Sequence, residues 1–143
     1  MGLLSVLLGG GKLKPEVRAE LEAEGLVLVE EKLKGSLRYT HFKAPGKRFH
    51  GKVVPMRMAL GISERRLVIR GGVGGQDLVD SPFDSPRFRA VEISLDGADR
   101  VELRIDYSRM DEAEAAGVSG VIAISMRTPN ATKIVEQIRA RIG

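Results

Sequence analysis

Between Lys32 and Arg70 the chain carries eleven Lys or Arg residues against one acid, Glu64. Cations at that density supply charge and hydrogen-bond donors for an anionic partner, but neither a nucleophile nor a base. The other residue types capable of chemistry are sparse. His41 and His50 are the only histidines, and a metal shared by them would need a carboxylate where the neighbours are basic, so they read as structural or solvated. Asp77, Asp80 and Asp84 miss the calcium-loop spacing and read as turn caps. Two glycine-rich runs invite a phosphate-loop reading, and neither fits. The run ending Gly11-Lys12-Leu13 has Val6 where the leading glycine belongs and Leu13 where Ser or Thr would hold magnesium. The run from Gly71 to Gly75 has no lysine and no helix after it. No nucleophile–base pair or paired carboxylates stand out, so the chain is read as a nonenzyme with neither cofactor nor metal.

Those cations must be positioned by strands. In LVLVEEKLKGSLRYTHF, Leu33, Leu37 and Tyr39 alternate, which predicts one long kinked strand over residues 26–43 with its bend at Gly35. A basic loop follows at residues 44–51. Met56, Met58, Leu60 and Ile62 then point one way and Arg57, Ala59, Gly61 and Ser63 the other, the period of a half-buried strand. Arg66 to Arg70 form a third strand after the turn Glu64-Arg65, and a brief fourth is centred on Leu78 and Val79. The tandem DSPFDSPRF predicts consecutive turns. Val91, Ile93 and Leu95 pair with Val101, Leu103 and Ile105 as a hairpin, and Ile122, Ile124 and Met126 mark a seventh strand. A short helix starts at Pro15. A C-terminal helix is capped by Thr128, has Pro129 at its first position, and carries Ala131, Ile134, Val135 and Ile138 on one stripe.

At 143 residues the chain is the size of one domain. The organisation expected is an apolar N-terminal segment at residues 1–14 and a single domain at 15–143. The apolar run at residues 3–8 is too short for a membrane span. It reads instead as a docking segment through which copies could assemble into a homo-oligomer. The absence of cysteine fits the cytoplasm. Charge is divided unevenly: residues 1–70 hold fourteen basic and seven acidic side chains, residues 71–143 nine and twelve, so the two parts carry +7 and −3.

Seven antiparallel strands followed by one amphipathic helix resemble the pleckstrin-homology-like superfold. The segment LGISERRLVI, residues 60–69, is similar to the second-to-third strand turn of its bacterial and GRAM-like branch, with Arg66-Leu67 keeping the final pair. The resemblance implies a mainly β, bent seven-stranded barrel plugged by the C-terminal helix. It also implies a ligand end built from residues 44–52, 71–77 and 108–117, and residence in the cytoplasm or peripherally on the inner membrane face. Phosphoinositide-binding members end the first strand with a base, which Lys43 supplies, and carry a Lys/Arg-x-Arg on the second, which nothing from Lys52 to Arg57 supplies.

The function expected is a noncatalytic binding module that engages an acidic protein or peptide surface, or an anionic membrane, through Lys43, Lys47, Arg48, Lys52 and Arg57. Specific nucleic-acid binding is not expected, because Tyr39, Phe42 and Phe49 make a thin stacking platform. The alternative is a structural subunit assembled through residues 3–8. A competing account of the cations has Arg38, Arg57, Arg66 and Arg70 pairing with Glu16, Glu20, Glu22 and Glu24 of the first helix.

Overall fold

In the computed structural model, which describes residues 11–72 and 76–142, the alternating segments form one antiparallel sheet curled into a half-barrel. Its strands are β1 (Leu26–Ala44), β2 (Lys47–Phe49), β3 (Val53–Ser63), β4 (Arg66–Gly71), β5 (Gln76–Pro82), β6 (Val91–Leu95), β7 (Arg100–Asp106) and β8 (Ser119–Arg127). The order is β5-β4-β3-β1-β8-β7-β6, with the short β2 paired to β1 alone. Among the described residues three α-helices accompany the sheet: α1 (Pro15–Ala23), α2 (Glu112–Ala115) and α3 (Ala131–Arg141). A seven-strand antiparallel path, β1 joining the run β3-β4-β5 to β8-β7-β6, with a C-terminal helix is consistent with the pleckstrin-homology-like fold. The apolar run at residues 3–8 and the glycine-rich stretch at 73–75, with the docking and loop expectations placed on them, lie outside the described residues.

β1 runs the length of both halves of the sheet, bonded to β3 on one edge and β8 on the other, so it must bend. The bend is not at Gly35. Pairing slips between Glu30 and Leu33, where Lys32 takes φ 58°, and again between Thr40 and Lys43, where His41 takes φ 48°. These are bulges, in which an extra residue twists the strand locally. Gly35 is regular and is small for a different reason: a Cβ there would lie 2.5 Å from the Ser125 carbonyl oxygen and 2.7 Å from Met58 Sδ.

The concave face of the sheet holds the main core, where Leu60, Ile62, Leu103, Ile124 and Met126 meet Ile134 and Ile138 of α3. β3 departs from the half-buried pattern in its second half. There Ala59 and Gly61, on the convex face, are covered by Leu13 and by Leu21 of α1, making a second, smaller core with Val68. Sinking Leu21 completely contributes roughly 2 kcal/mol.

Three turn assignments change. Residues 44–51 are a β-hairpin: Pro45-Gly46, with Gly46 at φ 74°, has the residue pattern of a type II turn and returns the chain as β2. The first Asp-Ser-Pro is not a turn but the end of β5, where Pro82 is tolerated because the strand lies at the sheet edge. Only the second behaves as expected, with Ser85 accepting from the Arg87 N–H to cap a 3₁₀ turn. The C-terminal helix also starts later than Pro129, at Ala131. Thr128 closes the preceding turn, its hydroxyl accepting from the Asn130 N–H at 3.1 Å and donating to Glu30 at 3.2 Å, and Asn130 also donates to Glu30.

Candidate functional site: the basic hairpin

The β1–β2 hairpin is an excursion from the sheet between Tyr39 and Lys52, fastened by Tyr39 N–H to the Lys52 carbonyl at 2.9 Å and Gly51 N–H to the Tyr39 carbonyl at 2.8 Å. Register then sorts its side chains. Phe42 pairs with Phe49, Lys43 with Arg48 and Ala44 with Lys47. Because direct partners share a face and successive pairs alternate, Lys43 and Arg48 stand side by side on one face. Lys47 lies on the other, with the two phenylalanines.

That second face is built on aromatics. Tyr39, Phe42 and Phe49 have ring centroids 5.0–6.1 Å apart, and Tyr107 reaches Phe42 at 6.4 Å. Lys52 Nζ sits 4.1 Å from the centre of the Phe49 ring, a cation–π contact. The histidines brace the base of the hairpin: their rings stack at 4.2 Å and His50 Nδ1 accepts the His41 backbone N–H at 3.2 Å. Stacking and this hydrogen bond tie the two rings to the hairpin; among the described residues no group of three or more His, Asp or Glu is placed to hold a metal ion.

Lys43, Lys47, Arg48 and Lys52 are thus brought together, all exposed, and none forms an ion pair among the described residues. Arg57 is not with them. It pairs with Lys34 across β1 and β3, and its Nη1 donates to the Lys32 carbonyl at 3.3 Å. An acidic element does adjoin the hairpin. Residues 108–117, expected as a polar loop, contain α2, whose N-cap Asp111 forms a reciprocal capping box with Glu114, and a Cβ at Gly117 would lie 3.7 Å from Pro45. At the head of that segment Asp106 is held below the usual carboxylate range by hydrogen bonds from Ser108, with Arg104 and Arg109 assisting.

The pairing of strand arginines with α1 is realised by Arg66 alone among the four expected. It donates to Glu20 at 2.7 Å, to Glu24 at 3.1 Å and, from outside α1, to Asp80 at 2.9 Å. Burial works against its charge, yet these carboxylates outweigh that cost and raise its pKa. Arg70, nearly buried, binds Asp77 at 2.6 Å instead.

Two further features escaped the residue patterns. A cleft between the free edges β5 and β6, lined by Leu78, Phe88, Val91, Tyr107 and Met110, encloses about 130 Å³, below the range of ligand pockets. On the convex face Lys34, Arg100 and Arg127 frame a shallow polar depression. Only strand register reveals either one, since their residues are scattered along the chain. Among the described residues no helix is long and apolar enough to cross a membrane. No protein-family model matches the chain, and no curated protein sequence matches it.

Proposed function

We propose that the chain is a noncatalytic binding module of the pleckstrin-homology-like family, which engages an acidic protein or peptide surface through its basic hairpin. The observation that carries this reading is the in-register pair Lys43 and Arg48, exposed and without an ion pair among the described residues, with Lys47 and Lys52 on the other face of the same hairpin. Like charges placed directly opposite on a sheet cost up to about 1 kcal/mol, a cost that an acidic partner would relieve. The aromatic cluster packs the hairpin backbone from which the cations project and holds Lys52 over the Phe49 ring, so less conformational freedom is left to lose on binding.

The neighbouring α2 favours a protein over a bare phosphate. Glu112 and its acidic neighbours beside the hairpin would repel a small dianion, whereas a protein surface can offer acids to the hairpin and bases to α2. Arg57 leaves the binding set under this reading, because it projects from a different part of the sheet.

The test is binding of a fluorescent oligoglutamate peptide, followed by capture of partners from cell extract with identification of what is held. Lys47→Glu with Arg48→Glu should weaken peptide binding at least tenfold and remove the captured acidic proteins. Unchanged binding overturns the proposal. Salt-sensitive sedimentation with anionic vesicles, in the absence of peptide binding, would transfer the hairpin to a membrane role.

A further inference from the structure

Register across the middle of the sheet aligns four cations in one row. Arg100 on β7 pairs with Arg127 on β8, Arg127 with Lys34 on β1, and Lys34 with Arg57 on β3. With strands about 4.8 Å apart the row is roughly 14 Å long. All four side chains point to the convex face, opposite the core-facing Leu33, Met58, Val101 and Met126 beside them. The next row places Ser36 directly against Ser125. Three of the cations and both serines meet around the depression.

We infer that this depression is a binding site for a phosphate group, held by Lys34, Arg100 and Arg127 and by the hydroxyls of Ser36 and Ser125. Two observations carry the inference independently. The first is the like-charge row, whose repulsion the exposed Asp96 and Asp99 offset only at Arg100 and Arg127, among the described residues, so that an added anion would relieve it. The second is the donor set: two guanidinium forks and an ammonium supply charge, and two adjacent hydroxyls add neutral donors, matching the several acceptor oxygens of a tetrahedral oxyanion. Neither serine hydroxyl makes a hydrogen bond to protein, and Lys34 makes no ion pair, among the described residues.

The carboxylates nearby do not close the site. Asp96 and Asp99, in the turn between β6 and β7, form ion pairs with Arg100 and Arg127 at 3.6 and 3.7 Å, longer than a hydrogen bond and between largely exposed side chains, so each offsets its arginine's charge only weakly. Glu102, on the same face of β7, flanks the second row through its pairing with Ser125. The site is separate from the hairpin and requires none of its residues.

Inorganic phosphate is the first probe, compared with chloride at equal ionic strength. At tens of millimolar it should raise the melting temperature of the full chain by about 3 °C. Lys34→Gln and Arg127→Gln, made separately, should each abolish that rise while leaving the chloride melting temperature equal or higher, because each removes a like-charge neighbour. Lys47→Glu with Arg48→Glu should leave the phosphate response intact, so the two proposals fail separately. No rise over chloride, or a rise that survives Lys34→Gln and Arg127→Gln, overturns the inference. Methyl phosphate and phosphatidic acid vesicles then distinguish the sources. Protection by the soluble ester without sedimentation assigns a free monoester, and sedimentation lost in Arg127→Gln assigns a lipid headgroup.

Discussion

Arg66 lies where three carboxylates from two segments converge, Glu20 on α1 with Glu24 at its C-cap and Asp80 on β5, and the nearby Ser63 is itself fully used. The Ser63 hydroxyl donates to Glu24 at 2.8 Å and accepts the N–H groups of Arg65 and Arg66. The charged atoms are mostly on exposed partners, so each pair alone is weak, but removing the guanidinium leaves three carboxylates facing one another. Arg66→Met should therefore cost about 1–2 kcal/mol in urea denaturation, and a double-mutant cycle with Glu24→Gln should give a coupling that independent surface charges would not. Tyr107 offers a second residue-scale check. Burial raises its hydroxyl above the ordinary tyrosine range, with Arg87 pulling the other way. A tyrosine with a raised folded pKa adds no pH dependence below its unfolded value, and stability falls as pH climbs from there through the folded value. Tyr107→Phe should abolish that alkaline loss in stability profiles and the high-pH step in an ultraviolet titration; an unchanged profile would refute the assignment.

α1 has little to hold it on its own sequence: nine residues, no side-chain cap at Lys14, and Leu21 as its one buried residue. Its attachment depends on the space that Gly61 leaves on β3, since a Cβ there would lie 2.5 Å from Leu21 Cδ1 and 3.0 Å from Leu13 Cδ1. Gly61→Ala should consequently lift α1 from the sheet, cost about 1–3 kcal/mol by overpacking, and speed hydrogen exchange in α1 and β4 while the concave core stays protected. Retention of α1 protection would refute this packing account. The same element marks the limit of what the sequence conveys. Strands were legible wherever apolar residues alternate, as from Met56 to Ile62, because period two needs only local information. The outward positions Ala59 and Gly61 read as solvent-facing because nothing local says that a helix 40 residues earlier covers them. Bulges at Lys32 and His41 were hidden for a related reason: both residues take left-handed backbone that glycine would have signalled, and neither is glycine. The hairpin cations were legible as a basic loop, although their division between two faces depends on the Pro45-Gly46 turn. The row Lys34, Arg57, Arg100 and Arg127 could not be read at all, since it exists only once four strands are in register.

At the scale of the whole molecule, the sheet does not close on itself, and its two free edges, β5 and β6, leave the concave core open. The C-terminal helix fills that opening: Ala131, Ile134, Val135 and Ile138 are all buried, and Arg139 at its far end donates to the Ile93 carbonyl on β6 at 2.9 Å. Glu30 of β1 fixes the other end through Thr128 and Asn130. The first long strand, the last strand and α3 are therefore mutually dependent, and β1 cannot begin to pair with its second neighbour before residue 119 or complete that ladder before residue 127. Contacts of such sequence separation must be formed against loop-closure entropy, so they are expected to form together and not piecemeal. Two variants measure this dependence at different strengths. Ile138→Ala empties a fully buried position and should cost about 2–5 kcal/mol, with the heat transition lowered but still cooperative. Removing residues 131–143 exposes the faces of Leu103, Ile124 and Met126 together, a loss larger than the net stability of an ordinary domain of about 5–15 kcal/mol can absorb once the other apolar contacts of α3 are counted. The truncated chain should lose its cooperative thermal transition and bind a hydrophobic dye. A truncated chain that still melts cooperatively near the full-length temperature would mean that the half-barrel stands without its plug, and that α3 serves some purpose other than closing the core.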